Sequence, residues 1–476
     1  MEFVVIFESL KIGCSLGFVH TLRYRSKKSS DGLLSVTAMI KMVEMNFVQS
    51  VKYLLSLGNE VSAMKLGLTN IRTLLAALGN PQNNFLKVQV AGTNGKGSVC
   101  AFLDAICLSA GVKTGLYTSP HLILITERVR INGNEISEND FAQFATIVRK
   151  TAENLLEKGA LEYRPTFFEQ ATAIALTVFA EANVELAILE TGLGGRLDAT
   201  TAANAEIAAI TRIDYDHQEY LGNTLAEIAA EKAGIIHDGS KVVIGEQQIE
   251  AMGVILDRCS RFRITPKTEC EAGIWAVDTI NRSTVVMFRT ANDIYSDSIL
   301  GLKGRHQVEN ARISVLLAEV LRFEFGLKIT SDNVLDGLEN ARNQGRLEYK
   351  GRYLFDGAHN VAGAKALAAF LDEFENRPIT LVFGAMGGKN VTEIAQILFP
   401  LASRIVLTEP DNPRALTFDE LLEQMPMELS RQNVFATDRV ENAIIIAETI
   451  TPEGGIILVT GSLYLVGEVK RLNFSG

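Results

Sequence analysis

Short aliphatic runs alternate with amphipathic stretches along most of the chain. The runs that have the length and β-branched content of buried strands lie at 86–91, 185–190, 206–212 and 241–245. Between them, segments such as 97–111 and 165–182 carry apolar residues at three- and four-residue spacing, which is typical of helices with one buried face. Strands that alternate with helices build parallel sheets, so the first large unit is predicted to be α/β.

A second series of the same kind follows the segment ARNQGR. Its strand-like runs are RYLFDGA, ITLVFGAM, RIVLTEP and GGIILVTG, each separated from the next by helix-like sequence. We therefore predict a large α/β unit followed by a smaller, separate α/β domain. The predicted divisions are an N-terminal extension at 1–44, a central domain at 45–340, a hinge at 341–346 and a C-terminal domain at 347–476.

The first 44 residues are left out of the fold prediction. Their apolar stretch precedes its basic cluster, and Glu2 and Glu8 lie in the leading segment, which is the wrong charge order for a secretory signal. We expect a poorly ordered extension or an upstream start, with Met45 opening the working protein. A targeting segment is the alternative.

Composition excludes several classes of protein. The 476 residues are 47% hydrophobic and 21% charged, and the formal net charge of −10 argues against a protein that grips nucleic-acid phosphates. The five cysteines form no C-x-x-C pair or metal cluster, which predicts a reducing, cytoplasmic setting. No apolar run reaches the roughly 18 residues that a membrane-spanning helix needs. Because the chain is acidic overall, an anionic ligand must be held by a local basic site.

The clearest candidate for such a site is the turn between residues 86–91 and the next helix. It reads Gly92-Thr93-Asn94-Gly95-Lys96-Gly97-Ser98. Glycines let backbone N–H groups face a phosphate, a helix N-terminus adds positive potential, and a lysine reaches the terminal phosphates. The spacing between Gly92 and Gly95 is shorter than in the general P-loop, so an ordinary glycine-rich turn is the alternative.

Polar side chains also follow the other predicted strands. Glu190 ends the second strand and would suit Mg²⁺, or it caps a turn. Asp214, Asp216 and His217 follow the third, where a ligand and a structural histidine are equally consistent. Lys232 lies on a short predicted helix at 224–236, and helical position alone would make it a solvated charge.

A last group surrounds the predicted hinge. Asp356 and His359 follow a buried-type strand, and Arg346 lies in the hinge itself. A guanidinium placed between two domains can bind phosphate when the domains close. A surface arginine and a turn-capping aspartate are the alternative.

Together these motifs resemble one family, the folylpolyglutamate synthase and dihydrofolate synthase enzymes of the Mur-ligase superfamily. The resemblance runs from about Met45 to the C-terminus, and it implies an α/β fold with a P-loop-type parallel-sheet ATPase domain followed by a smaller Rossmann-like α/β domain. It rests on nine motifs, which occur in this order: GTNGKGS, TSPHL, ERVRING, ETGLGGRLDAT, DH, EKAG, GRHQxxNA, GRLE and DGAHN.

The resemblance implies roles for individual residues. The implied ATP-binding residues are Asn94, Gly95, Lys96, Gly97, Ser98, Asn310, Arg346 and Asp356. The implied metal ligands are Ser119, Glu190, His217 and Lys232, the last as a carboxylated lysine that helps to bind a second Mg²⁺. The implied pterin or folate pocket comprises Thr166, Phe167, Phe168, Glu169, Leu197, Asp198 and Ala199. Lys96, Lys232, His217 and Arg346 would serve catalysis.

Three positions depart from the family pattern. Thr201 stands where the family commonly has Asn after LDAT, Val361 stands where it has Pro after DGAHN, and GAMGGKN replaces GAMADKD. Because Thr201 adjoins the pterin segment, its substitution bears on pterin specificity more than on the use of ATP.

The resemblance implies an ATP- and Mg²⁺-dependent ligase. It would join the amino group of L-glutamate to a pterin-borne carboxylate through an acyl phosphate. Dihydropteroate and reduced folate are both possible acceptors, and a bifunctional enzyme is favoured over a folylpolyglutamate synthase alone. A monomer that binds neither nucleic acid nor membranes is expected. The alternatives are a peptidoglycan-precursor amino-acid ligase and a P-loop NTPase switch.

Overall fold

The structure is a computed structural model that describes residues 44–58, 67–427 and 429–474. It also assigns two paired two-residue strands, β1 (Val5–Ile6) and β2 (Arg23–Tyr24). Apart from Glu44 and these strands, the prediction for residues 1–44 lies outside the described residues. Within the described part of the chain, no helix is both long and apolar enough to cross a membrane.

A seven-stranded sheet forms the centre of the first unit. Its strands are β3 (Leu86–Ala91), β4 (Thr114–Tyr117), β5 (Val129–Ile131), β6 (Asn134–Glu135), β7 (Leu186–Glu190), β8 (Ile207–Ile210) and β9 (Lys241–Ile244). Their spatial order is β6-β5-β4-β7-β3-β8-β9. The five strands from β4 to β9 in that order pair in parallel, and β5 and β6 extend the sheet antiparallel. The four strands predicted from hydrophobic runs are thereby confirmed to within two residues at each end.

Helices cover both faces of this sheet. They are α1 (Phe47–Leu55), α2 (Thr69–Ala77), α3 (Lys96–Ser109), α4 (Glu138–Glu157), α5 (Phe167–Glu181), α6 (Gln218–Leu221), α7 (Leu225–Ala233), α8 (Ile249–Arg261), α9 (Gln307–Glu324) and α10 (Ser331–Asn340). Alternate residues of β7 enter opposite cores, Ile188 with α3 and α9 and Leu189 with α4 and α5. Burial on both faces explains why the central strands read as continuous apolar runs.

A small antiparallel sheet completes the first unit, and hydrophobic runs did not predict it. Its strands are β10 (Cys270–Asp278), β11 (Ser283–Thr290) and β12 (Ile294–Ile299). Val286, Phe288 and Tyr295 join the core beneath α9, whereas Trp275 on the outer face is 62% exposed. One face of this sheet is solvated, so its sequence lacks the continuous apolar signal of the central strands.

The second unit is a six-stranded sheet with helices on both faces. Its strands are β13 (Glu348–Lys350), β14 (Tyr353–Phe355), β15 (Ile379–Phe383), β16 (Arg404–Thr408), β17 (Val434–Thr437) and β18 (Ile456–Thr460). Its helices are α11 (Val361–Phe374), α12 (Val391–Leu398), α13 (Phe418–Glu423), α14 (Val440–Ile450) and α15 (Leu463–Phe474). The order is β13-β14-β18-β15-β16-β17, with only β13 antiparallel to its neighbour.

Ion pairs join the two units on the side of the molecule near α9 and β11. Arg305 forms a bidentate pair with Glu373, with Nε–O distances of 2.8 and 3.0 Å. Arg282 approaches Glu375 at 3.6 Å and lies over the ring of Tyr349. The segment 341–346 lies between α10 and β13, so the chain crosses from one unit to the other there.

Candidate active site between the two sheets

The turn between β3 and α3 is shaped by two glycines at which a side chain would collide with its surroundings. A Cβ atom on Gly92 would lie 1.8 Å from the Thr211 hydroxyl oxygen. Gly95 has φ +90°, and a Cβ there would lie 2.2 Å from Oδ1 of Asn310. α3 begins at the next residue, Lys96, so its free N–H groups face the turn. This geometry suits a phosphate group.

The Lys96 ammonium lies at the centre of the charged groups of this turn. Its Nζ donates to the carbonyl oxygens of Gly92 at 3.1 Å and Thr93 at 3.3 Å. Its positive charge adds to the lowering of the pKa of His217 and Lys232, and it opposes the rise that burial causes in the pKa of Glu190. The sheet thus brings together four side chains that the sequence predicted separately.

Glu190 ends β7 with a carboxylate that is 6% exposed. Its Oε2 accepts the backbone N–H of Ser119 at 3.1 Å, so the ends of β4 and β7 meet. Burial raises the pKa of Glu190, while the Lys96 cation, that hydrogen bond and the charge of Arg346 act in the opposite direction. Because burial outweighs these opposing effects, an additional cation beside Glu190 would stabilise its carboxylate form.

His217 and Asp216 follow β8. His217 has φ +51° at the start of α6, and burial, followed by the charges of Lys389, His359 and Lys96, lowers its pKa to about 3 against the opposing charge of Asp216. The imidazole is therefore neutral and able to act as a ligand. For Asp216, burial would raise the pKa, but the His359 ring, whose Nε2 lies 3.6 Å from Oδ2, and the nearby Lys389 cation hold it far below its usual range.

Lys232, on α7, is 4% exposed, and its Nζ donates to the Gly92 carbonyl oxygen at 2.8 Å. Burial and the Lys96 cation lower its pKa to about 7, against the opposing charges of Asp216 and Asp198. It is not the solvated charge that its helical position alone suggested.

The second unit contributes Asp356, which directly follows β14. Its carboxylate is 8% exposed and accepts N–H groups of Leu347 at 3.0 Å and Ala358 at 2.9 Å. Burial raises its pKa, and the charge of Arg346 acts against that effect. Arg346 also opposes the rise in the pKa of Glu190, so its positive charge acts on one buried carboxylate from each unit.

A cavity of about 230 Å³ opens beside these groups and is lined by both units. From the first unit it receives Pro120, Thr166, Phe168, Glu169, Gly192, Leu193, Arg196, Leu197, Asp198, Ala199, His217 and Tyr220. From the second it receives His359, Met386, Lys389, Arg414, Ser462, Leu463 and Tyr464. Six of the seven residues predicted for the pterin pocket are on its wall.

Some residues predicted for the pterin pocket also stabilise the local structure through hydrogen bonds. Thr166 and Glu169 form a capping box at the start of α5, with bonds of 2.8 and 3.3 Å. The Asp198 carboxylate accepts N–H groups of Leu193 at 2.9 Å and Thr200 at 3.0 Å, so it holds the loop together. Phe167 lies in the helical core beneath the Arg128 guanidinium, not on the cavity wall where the sequence placed it.

Several side chains of the site were missed by the sequence prediction. Lys389, Asn360, Arg414 and Asn343 all reach the cavity or the phosphate turn. Asn343 donates to the Ser98 hydroxyl at 3.5 Å. The segment GAMGGKN follows a predicted strand and could have pointed to Lys389. Nothing in the spacing distinguishes the other three residues.

Oxygen and imidazole donors are available for a cation. Among the described residues there is no group of three or more His, Cys, Asp and Glu side chains arranged for a metal. The predicted set contains only two such residues, Glu190 and His217, beside the Ser119 hydroxyl. The carboxylate and hydroxyl oxygens are of the hard type that Mg²⁺ prefers, and a carboxylated Lys232 would add further oxygens, so the residues present fit the ion.

The fold and site define an ATP-dependent ligase of the Mur type. Residues 90–318 match the Mur ligase middle domain, and residues 345–463 match the Mur ligase glutamate ligase domain. Within that class, the chain belongs to the folylpolyglutamate synthase/dihydrofolate synthase family. The predicted family, fold class and type of enzyme are thereby confirmed.

Relatives and solved structures agree on this family. The dihydrofolate synthase/folylpolyglutamate synthase of Bacillus subtilis is 34% identical over 415 residues, which cover 86% of this chain and 95% of that protein. Folylpolyglutamate synthase of Mycobacterium tuberculosis, solved with ADP, has 32% identity and a TM-score of 0.83, covering 90% and 98% of the two chains. E. coli FolC, solved with DHPP and ADP, has 28% identity and a TM-score of 0.78, covering 90% and 97%.

Proposed function

We propose that the protein uses ATP to join L-glutamate to a carboxylate borne by a pterin, acting on both dihydropteroate and reduced folate. One observation carries the proposal. The phosphate turn, with Lys96 between Glu190, His217 and Lys232, opens onto a cavity whose other wall belongs to the second unit. A phosphoryl donor, an acceptor and an incoming amine can meet in that cavity.

The first step is transfer of the γ-phosphoryl group of ATP to the acceptor carboxylate. A carboxylate oxygen attacks phosphorus, ADP leaves, and an acyl phosphate forms. Lys96 and Arg346 neutralise charge on the phosphoryl oxygens, and Asn94, Gly95, Gly97 and Ser98 hold the phosphates, with Asn310 and Asp356 completing the nucleotide site. Nδ2 of Asn94 is a buried donor without a partner among the described residues, as a group that awaits a phosphate would be.

We further propose that Ser119, Glu190 and His217 hold Mg²⁺. When bound, the ion would supply positive charge to the phosphoryl oxygens. Lys232, carboxylated on Nζ, would help to hold a second Mg²⁺. Carboxylation needs a neutral amine, and a pKa of about 7 makes about half of the Lys232 amines neutral at pH 7.

In the second step the amine of L-glutamate attacks the acyl carbon. A tetrahedral intermediate collapses, inorganic phosphate leaves, and an amide remains. Arg414 of the second unit suits a carboxylate of the incoming glutamate, because it lines the cavity and its buried Nε has no hydrogen-bond partner among the described residues. Closure of the second unit about residues 341–346 would exclude water from the acyl phosphate.

The pterin would bind against Phe168, Leu197 and Ala199. The cavity wall there is apolar and aromatic, with Tyr220 at the opening, 41% exposed. We infer that the protein acts as a cytoplasmic monomer without nucleic-acid or membrane partners. Its net charge of −10 and the free thiols of its four described cysteines support this part of the proposal.

The direct test is glutamate incorporation, read by mass spectrometry with ATP and Mg²⁺. Dihydropteroate and tetrahydrofolate are offered separately, and a mass gain of one glutamyl unit on both is expected. Gain on one acceptor alone would restrict the enzyme to that acceptor. ATP hydrolysis with gain on neither would favour an NTPase switch, and a UDP-sugar acceptor that gains an amino acid would favour a peptidoglycan-precursor ligase.

A further inference from the structure

Three groups of the second unit converge on one carboxylate of the first. Asp216, whose side chain is 7% exposed, forms an ion pair with Lys389. Nε2 of His359 lies 3.6 Å from its Oδ2, and Nδ2 of Asn360 donates to the same oxygen at 3.2 Å. The loop that follows β8 is thus tied to the second unit by charge and by hydrogen bonding.

Asn360 also reaches the phosphate turn. Its Nδ2 donates to Oδ1 of Asn94 at 3.0 Å, while its Oδ1 accepts the N–H of Gly363 at 2.8 Å and so caps α11. A cap at this position requires an oxygen, because the groups it satisfies are backbone N–H donors. The cap therefore fixes which end of the Asn360 amide faces the first unit, and that end is the donor.

The orientation of Asn360 in turn fixes that of Asn94. Oδ1 of Asn94 is used by Asn360, so its Nδ2 faces another direction, where it is buried without a partner among the described residues. The Asn94 backbone is held in place separately, since its carbonyl oxygen accepts the Thr211 hydroxyl at 2.7 Å. Without Asn360, the side-chain amide would be free to turn over.

We propose that Asn360 is a positioning residue that couples closure of the second unit to nucleotide binding. With the units closed, Asn360 holds the Asn94 amide so that its Nδ2 points toward the nucleotide phosphates. The coupling is reciprocal, so a bound nucleotide stabilises the closed arrangement to the same degree. The inference rests on the proposed function, since it takes the turn from Gly92 to Ser98 as the phosphate site.

A double-mutant cycle tests this coupling. The variants are Asn94→Ala, Asn360→Ser and the pair together, with affinity for the ATP analogue AMPPCP and Mg²⁺ measured by calorimetry. Serine retains an oxygen that can cap α11 but cannot reach Asn94. Asn360→Ser is expected to weaken AMPPCP binding about 5-fold, the effect of one lost hydrogen bond. In the Asn94→Ala background it should change affinity by less than about 2-fold, because coupled residues are not additive.

Two further variants separate positioning from folding. Asn360→Asp keeps the shape and the cap, cannot donate, and faces Asp216, so it should weaken AMPPCP binding more than Asn360→Ser does. Asn390 is a matched control: it caps α12 and donates to Glu393 of its own helix at 3.0 Å. Asn390→Ser should leave AMPPCP affinity unchanged.

The coupling would be overturned if the fold-loss of AMPPCP affinity in the double variant equalled the product of the losses in the two single variants. It would also be overturned if Asn360→Ser bound AMPPCP as tightly as the wild type. An Asn390→Ser variant that loses affinity equally would overturn it as well. The outcome is separable from that of the proposed function. Wild-type protein that binds AMPPCP but adds no glutamate would contradict the proposed reaction while leaving the cycle interpretable, and wild-type protein that binds no AMPPCP would overturn both.

Discussion

The Lys232 amine donates a hydrogen bond to the Gly92 carbonyl oxygen at 2.8 Å, although the two residues are 140 positions apart. This contact fixes a buried lysine against the phosphate turn, within the field of Lys96. Burial and the positive charge of Lys96 disfavour the ammonium form, and together they lower the pKa of Lys232 to about 7. Because CO₂ reacts with a neutral amine, this lowered pKa supports the carboxylated lysine of the proposed function.

Replacing Lys232 by alanine should nearly abolish glutamate incorporation. We expect a loss of roughly 100-fold or more in kcat, the size associated with removing one preorganised group that acts on developing charge. A small added carboxylic acid, such as acetate, should restore part of the activity by standing in for the missing carbamate. Steady-state rates with and without the acid provide the measurement.

The control for that experiment is Lys365→Ala. Lys365 lies on α11, and its side chain is 65% exposed beside Glu393, so neither its loss nor added acid should alter turnover. Full activity of Lys232→Ala would refute the carbamate. Rescue of equal size in the control would show that the acid acts elsewhere.

The pH dependence of carboxylation follows from the direction of the Lys232 shift. A pKa lowered to about 7 means that the amine is protonated and unreactive below that pH, and neutral above it. Enzyme depleted of CO₂ and then given a fixed concentration of dissolved CO₂ should regain activity about 10-fold faster at pH 8 than at pH 6, with a plateau above pH 8. A rate that still rises about tenfold per pH unit through pH 9 would indicate an ordinary lysine instead.

Sequence periodicity predicted the parts of the site that depend on single strands and their following turns. β3 spans Leu86–Ala91 as predicted, and α3 begins at Lys96, one residue before the predicted start. Glu190 ends β7, as predicted from an apolar run that stops at a carboxylate. Strand-end residues of a parallel sheet meet at one edge, so their assembly follows from local pattern alone.

Contacts between the two units have no such local signal. Asp216 was a candidate because it follows a strand, but its partners Asn360 and Lys389 are 144 and 173 positions away. Their meeting depends on how the second unit closes, which no hydrophobic period encodes. Within the first unit, the helical position of Lys232 alone likewise suggested a solvated charge, because its burial depends on contact with the distant turn that contains Gly92.

Gly95→Ala should damage nucleotide binding more than it damages the fold. A left-handed conformation costs an alanine about 1–2 kcal/mol, and here the new methyl group would also lie 2.2 Å from Oδ1 of Asn310. The collision displaces a residue proposed to contact ATP. We expect AMPPCP affinity to fall at least about 10-fold, as calorimetry would show.

Gly111 provides the matched control at the other end of α3. It has φ +72°, and a Cβ there meets nothing within 4 Å. Gly111→Ala should therefore lower the free energy of unfolding by a similar strain term while leaving AMPPCP affinity intact. Equal losses of affinity in both variants would mean that backbone strain, not the contact with Asn310, governs the binding of nucleotide.

Thr201 is one of the departures from the family pattern. Its replacement should affect binding of the acceptor and not binding of the nucleotide. Its hydroxyl donates to the Gly195 carbonyl oxygen at 2.7 Å and accepts from Nε2 of Gln89 at 2.7 Å, so it ties the loop of the cavity wall to β3. Thr201→Val breaks both bonds, but the Gly195 carbonyl oxygen still accepts the Asp198 N–H at 3.1 Å and Nε2 of Gln89 still donates to the Thr200 hydroxyl at 2.8 Å. The loss of stability is therefore about 0.5–1.5 kcal/mol for each broken bond. We expect KM for dihydropteroate to rise several-fold while KM for ATP stays constant.

Two variants serve as controls. Thr201→Asn, which can both donate and accept, should retain a KM for dihydropteroate close to that of the wild type. Thr177→Val, on α5, removes a hydroxyl that is bonded to its own helix and controls for that loss. If Thr201→Val raises both KM values alike, the hydroxyl supports the whole sheet edge and has no special role in acceptor specificity.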